Sequence, residues 1–236
     1  MLNSQTRIDS DKGYRLVWDL PVRTMHWLLA IATVGAWLSH YDLDEYFAVH
    51  VVCGCTVLVL VVTRIVLGFT GTHHARFVNF IRGPRAMLRY LRGIASSPGY
   101  VGHNPLGAMM VLLLLGLLLA QAVTGLLAND QIANAGPLFG YVSAATSDRL
   151  TGIHRLLGNA ILICVCAHVG AVFAYLLIKR ENLILPMLTG KKPAALVPER
   201  LAVAGSHTAQ AVIIAAVVTA ILLILIYLAP KAALTF

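Results

Sequence analysis

Nine histidines punctuate the chain of 236 residues, and four of them, His26, His50, His154 and His168, lie in apolar surroundings. Neutral imidazole is a common ligand for haem iron, and the macrocycle itself is mostly apolar. Apolar helices with inward-facing histidines are therefore a physically sensible container for haem b. His154 and His168 are 14 residues apart. Fourteen steps of about 100° return to within about 40° of the same helix face, with a rise of roughly 21 Å. One face could then carry a ligand towards each membrane surface, and two haems stacked across a bilayer are expected. Any single histidine could instead be a hydrogen-bonded core residue; the expectation rests on the four together.

The elements that must position these rings are membrane helices. Hydrophobic residues make up 58% of the chain and charged ones 12%, with a mean hydropathy of +0.79. Soluble domains carry about twice that charged fraction. The composition excludes a cytosolic enzyme, a disordered chain and a disulfide-stapled secreted domain. Five apolar runs read as spans: Val22–His40, Tyr46–Phe69, Leu106–Ala128, Leu150–Ile178 and Ala209–Leu228, each long enough to cross roughly 30 Å of hydrocarbon as helix. The expected fold is all-α, a four-helix transmembrane diheme bundle with a fifth C-terminal transmembrane helix. Residues 1–21 form a cytoplasmic N-terminal segment, 22–193 the core with a basic cytoplasmic loop over 70–105, and 194–236 a linker with the fifth helix. The first residues lack the short apolar core and cleavage site of a secretory signal, so the first span is expected to be an uncleaved anchor.

Charge sets the orientation. The net charge of +8 would suggest nucleic acid in a soluble protein, but in a membrane protein basic residues mark cytoplasmic segments. With the N-terminus inside, only Arg149, Arg155 and Lys231 fall outside, while acids divide evenly. The N-terminus is expected in the cytoplasm and the C-terminus in the periplasm, with no nucleic-acid partner. In the 2–3 loop, basic and apolar residues interleave from Arg82 to Arg92. That pattern suits an amphipathic helix on anionic lipid headgroups.

Depth pairs the ligands. His50 and His154 lie near the outer surface, and His26 with His168 nearer the inner one; His168 is eleven residues before Lys179, so the fourth span must tilt or outrun the bilayer. His40 is also 14 residues after His26, which leaves a pattern with both ligand pairs on spans one and four geometrically open. Gly54, one turn after His50, and Gly68, 14 further on, could admit a flat macrocycle against the helix, although transmembrane glycines also serve close helix packing. Arg155 and Arg23 could meet the propionates of an outer and an inner haem, or simply anchor the interfaces. His103 and Asn104, at the start of span three, are the first choice for a quinone site; Asn-Pro is also a common helix opening. The cysteine pairs Cys53/Cys55 and Cys164/Cys166 point about 200° apart on a helix and read as packing residues. No CxxCH is present, so c-type attachment is not expected. No acid–base constellation is visible, and no catalytic residue is assigned.

The sequence resembles the bacterial cytochrome b561 and nickel–iron hydrogenase cytochrome b group over about residues 15–193. The resemblance is carried by Trp18-Asp19-Leu20-Pro21-Val22-Arg23-Thr24-Met25-His26-Trp27, His50 with Gly54, His73-His74-Ala75-Arg76-Phe77, Arg82-Gly83-Pro84, Gly102-His103-Asn104-Pro105-Leu106-Gly107, His154, His168, and the tail from Arg180 to Pro193. It implies a diheme core moving electrons between a periplasmic redox protein or subunit, a cytochrome c or a hydrogenase, and the quinone pool of the bacterial inner membrane. The family's ligands map to His26, His50, His154 and His168, which favours His50 over His40. The fifth span departs from the four-helix pattern and is expected to pack against a partner subunit. Competing readings are a stand-alone superoxide:quinone oxidoreductase and a haem-free transporter with buried histidines.

Overall fold

The computed structural model describes residues 13–92 and 100–230. The first twelve residues of the expected N-terminal segment, residues 93–99 of the basic loop, and the tail with Lys231 lie outside the described residues.

The helices start where capping groups and apolar runs meet. Buried Asp19 accepts the Val22 N–H at 3.3 Å and opens α1 (Leu20–Ser39), satisfying one donor of the first turn. Asp42 does the same for α2 (Leu43–Thr70) through the Glu45 N–H, with Asp44 and Glu45 favourably placed in the first turn. Tyr46 interrupts this helix with φ −110° and ψ 18°. Short helices follow at Phe77–Phe80 (α3) and Pro84–Leu91 (α4). Asn104 caps α5 (Pro105–Leu126) through the Gly107 N–H at 2.7 Å, and Pro105 fills the first helical position. Ser143 opens α6 (Ala144–Leu177). Then come α7 (Ile184–Thr189) and α8 (Thr208–Leu228).

Among the described residues, four helices, α2, α5, α6 and α8, are long and apolar enough to cross a membrane; the chain is a multi-pass membrane protein. The 20-residue α1 carries Arg23 and His26 in its first turns and is not among those four. Every expected span is a helix, with ends shifted by a few residues. The largest shift is α6, which begins at Ala144 rather than Leu150. Its 34 residues reach about 51 Å, longer than the roughly 30 Å hydrocarbon layer.

Contacts divide the chain into two compact units. The first takes the chain up to Thr24, Val66–Leu112 and Ala167–Ala209. Strand β1 (Tyr14–Leu16) pairs antiparallel with β2 (Lys191–Pro193), Arg15 facing Lys192. Gly190, at φ +81°, turns the chain into β2, and a side chain there would meet the Trp18 carbonyl at 2.5 Å. Arg15 donates to the carbonyls of Ala194 and Val197, and His74 Nε2 to that of Leu201 at 2.8 Å. Residues 194–203, expected to be a linker, are thus folded against the N-terminal strand. Val17, Trp18, Val22, Ala75, Val101 and Val197 form the core beneath.

The second unit takes Met25–Ile65, Leu113–Cys166 and the chain from Gln210. Its connection between α5 and α6 is tightly ordered. Asn129 Nδ2 donates to Ser147 Oγ at 2.7 Å and Asp148 Oδ1 at 3.0 Å, and Thr151 Oγ1 bonds both the N–H and C=O of Asn129. Asp130 Oδ1 accepts the N–H groups of Ile132, Ala133 and Asn134. Partial burial pushes this carboxyl up, but the backbone and side-chain donors outweigh it and hold it below the usual range. The C-terminal end of α8 reaches the same loop, where Tyr141 donates to the Leu225 carbonyl at 3.1 Å.

Candidate cofactor site

Within the second unit, α1, α2, α5, α6 and the Asn129–Pro137 stretch enclose a cavity of about 610 Å³. That lies in the range of cofactor pockets, roughly 300–1,000 Å³. The wall is mostly aliphatic, and two imidazoles stand in it.

His50 projects from α2, and its Nδ1 lies 2.9 Å from the Ala36 carbonyl. Ala36 is in the last turn of α1, where carbonyls lack intrahelical donors. His154 projects from α6, with Nδ1 2.9 Å from the Gln121 carbonyl. A carbonyl only accepts, so both Nδ1 atoms carry the proton and both Nε2 atoms keep a lone pair. This is how a metal-binding histidine is oriented by its second partner. The ring centroids are 6.1 Å apart, enough for one metal atom at about 2 Å from a nitrogen of each ring. Gln121 Nε2 donates to His154 Nε2 at 3.1 Å, while buried Gln121 Oε1 has no hydrogen-bond partner.

Glycines shape the wall. A side chain at Gly125 would come within 2.7 Å of His154 Cε1, so glycine lets this ring lie against α5. At Gly54 a Cβ would meet nothing within 4 Å, which leaves the surface beside His50 open for a flat group. Gly68 differs from expectation: the Phe77 ring fills the space its side chain would take, so its missing Cβ makes room for an aromatic side chain.

His40 is exposed at the cavity rim. It bonds the Trp37 carbonyl of its own helix and stacks on Tyr41 with centroids 4.2 Å apart. Arg155 also lines the cavity. In the first unit, Arg23 donates to the Leu188 carbonyl, and its buried Nε has no hydrogen-bond partner. His103 packs between Trp18 and Phe80, with centroids at 4.8 and 4.6 Å. Asn104 spends Oδ1 on the α5 cap and donates Nδ2 to the Tyr175 hydroxyl at 2.8 Å. His26 belongs to the second unit, edge-on to Trp27, and His168 to the first; each is half-buried.

The structure therefore brings His50, His154, Gly54 and Arg155 to one cavity. Sequence reading missed Gln121, Thr124 and Gly125, which surround His154. Their signal was present: Gln121 and Thr124 are the two polar side chains of α5, and polar groups at membrane depth are costly without a role.

The model of the family described as prokaryotic cytochrome b561 matches residues 17–190. Similar proteins include probable Ni/Fe-hydrogenase B-type cytochrome subunits. That of Bradyrhizobium diazoefficiens is 26% identical over 75% of this chain and 85% of its own. Those of Rhizobium leguminosarum bv. viciae and Rhodobacter capsulatus are each 25% identical over 75% of this chain, covering 87% and 80% of theirs. No solved structure matches.

Proposed function

Since the chain belongs to the prokaryotic cytochrome b561 family, we propose that it is a diheme b-type cytochrome of the bacterial inner membrane, carrying electrons between a periplasmic redox partner and the quinone pool. Haem b and membrane electron transfer follow from the family. The names of the hydrogenase-associated relatives support a hydrogenase-like partner, with a cytochrome c as the other possibility.

The observation that carries this reading is the His50–His154 pair, two imidazoles with protonated Nδ1 and lone pairs on Nε2 in one apolar cavity. Bound haem supplies the one-electron chemistry; the protein supplies ligation, position and electrostatics. His50 and His154 would hold the outer iron through Nε2, Gln121 Nε2 giving up its bond to His154 Nε2, and the Ala36 and Gln121 carbonyls fix their rings and raise their basicity. The aliphatic wall excludes water, and Arg155 offers positive charge to a propionate. The family resemblance assigns His26 and His168 to a second haem and leaves Arg23 as the candidate for its propionate. His103, with Asn104 beside it, serves the quinone end, where histidine exchanges protons near neutral pH.

Haem per chain, counted on detergent-purified protein, tests the reading. Two are expected, and H50A or H154A should each lose one. H26A and H168A should each lose the other. Unchanged haem in H50A and H154A, or the lack of a reducible b-type spectrum, would overturn it. The arginines of the 2–3 loop support a cytoplasmic N-terminus and a periplasmic C-terminus, which reporter fusions at both ends would check. A contact role for α8 towards a partner subunit is tested by deleting it and measuring partner retention at constant haem content.

A further inference from the structure

The first unit contains a second chemical cluster, away from the cavity. At the inner end of α6, Tyr175 shares a hydrogen bond with Tyr90 of α4. It also accepts the Asn104 Nδ2–H, and Lys179 lies over both rings, 4.6 Å from the Tyr175 centroid and 5.6 Å from that of Tyr90. The two phenols own two protons. One is spent between them, and Asn104 and Lys179 bring donors rather than acceptors. Among the described residues, one phenolic O–H therefore remains to be given. Burial, with the Tyr175 hydroxyl, pushes the Tyr90 phenol up to about 12, so it stays protonated at neutral pH. A spare hydroxyl donor beside an ammonium is chemistry for an anionic oxygen.

Helix α4 extends this chemistry. Ala86, Met87 and Tyr90 are half-buried, while Arg85, Leu88 and Arg89 are exposed, Leu88 at 47%. Arginine at i and i+4 with a leucine between them is one helical face. No acidic residue occurs between Glu45 and Asp130, and Glu181, two residues beyond Lys179, is paired with Lys192 at 3.7 Å. The tyrosine pair ties this helix to the last turn of a membrane-crossing helix, towards the membrane surface in the orientation proposed above. There an exposed leucine reaches acyl chains while long basic side chains reach phosphate.

We propose that Arg85, Arg89, Lys179 and the Tyr90–Tyr175 pair form a binding surface for the phosphate of an anionic phospholipid, with Leu88 inserted among its acyl chains. The site is independent of the cofactor assignment. Charge complementarity commits it to lipid, because the leucine and the tie to α6 have no use in holding free phosphate.

The test is native mass spectrometry of the full haem-loaded chain in detergent with phosphatidylglycerol, phosphatidylcholine or inorganic phosphate. The intact protein should retain phosphatidylglycerol in preference to phosphatidylcholine, and inorganic phosphate should not displace it. A basic residue at an anionic surface is worth about fivefold in binding, so R85Q/R89Q should weaken retention roughly 25-fold. K179Q and Y90F should each weaken it further, with haem content unchanged. Both arginines are exposed, so their loss leaves the fold intact. Equal retention of the two lipids, unaltered retention in R85Q/R89Q, or displacement by inorganic phosphate would each overturn the proposal.

Discussion

His50 and His154 stand across one cavity with ring centroids 6.1 Å apart and planes at 75°, each tied by Nδ1 to a backbone carbonyl of a neighbouring helix. The relationship separates His50 from His40, whose exposed ring bonds its own helix and stacks on Trp37 and Tyr41. H40A should therefore keep both haems, whereas H50M should keep the outer one with altered ligation. A thioether in place of an imidazole raises the reduction potential. Redox titration of H50M should show one of two components moved upward and the other in place. Haem loss in H40A alone would reverse the assignment.

Gly125 and Gly54 make opposite demands. G125A would push a methyl within 2.7 Å of His154 Cε1. The ring must tilt, and outer haem retention should fall by roughly 10–100-fold, as for a lost orienting contact. G54A meets no protein atom within 4 Å, so the apoprotein should be as stable as the parent. Any drop in haem occupancy of G54A then reports the macrocycle itself. Thermal unfolding of the apoproteins beside haem uptake distinguishes the two cases.

Asn129 fastens the loop between α5 and α6 through Ser147, Asp148, Thr151 and the Gln131 N–H. N129A removes the side-chain bonds to Ser147, Asp148 and the Gln131 N–H while the backbone bonds to Thr151 stay, and the loss at the one buried partner, Ser147, costs about 1 kcal/mol. The loop should open locally while the helices persist. Limited proteolysis should then cut within residues 130–143 of N129A much faster than in the parent.

His74 predicts a pH dependence in the first unit. Burial lowers its pKa below the ordinary 6.5, and nearby His73 and Lys192 lower it further, outweighing the Leu201 carbonyl. Lys192 is itself partnered by Glu181 at 3.7 Å. The unfolded segment binds a proton that the folded one resists, so stability is full above about pH 6.5 and falls as pH drops below it. Hydrogen-exchange protection in residues 194–203, corrected for the intrinsic exchange rate at each pH, should fall as pH drops below about 6.5, and H74Q should flatten the response. An unchanged profile in H74Q would assign the dependence elsewhere.

The spans, the histidines within them and the pairing of His50 with His154 by depth were all legible in the sequence. Hydrophobic run length and helical repeat are local properties, and an ionisable group in an apolar run is conspicuous wherever the chain folds. Other features were decided only in three dimensions. Which carbonyl orients each ring, that Gly125 yields to His154 while Gly68 yields to Phe77, and that residues 194–203 return to the N-terminal strand depend on contacts between distant segments. No sequence period encodes such contacts, because each is set by how neighbouring helices share volume and satisfy one another's polar groups. The Asn-Pro opening of α5 could be read either way. Asn104 as cap is a local feature, while its bond to Tyr175 is tertiary, because that hydroxyl arrives from another helix.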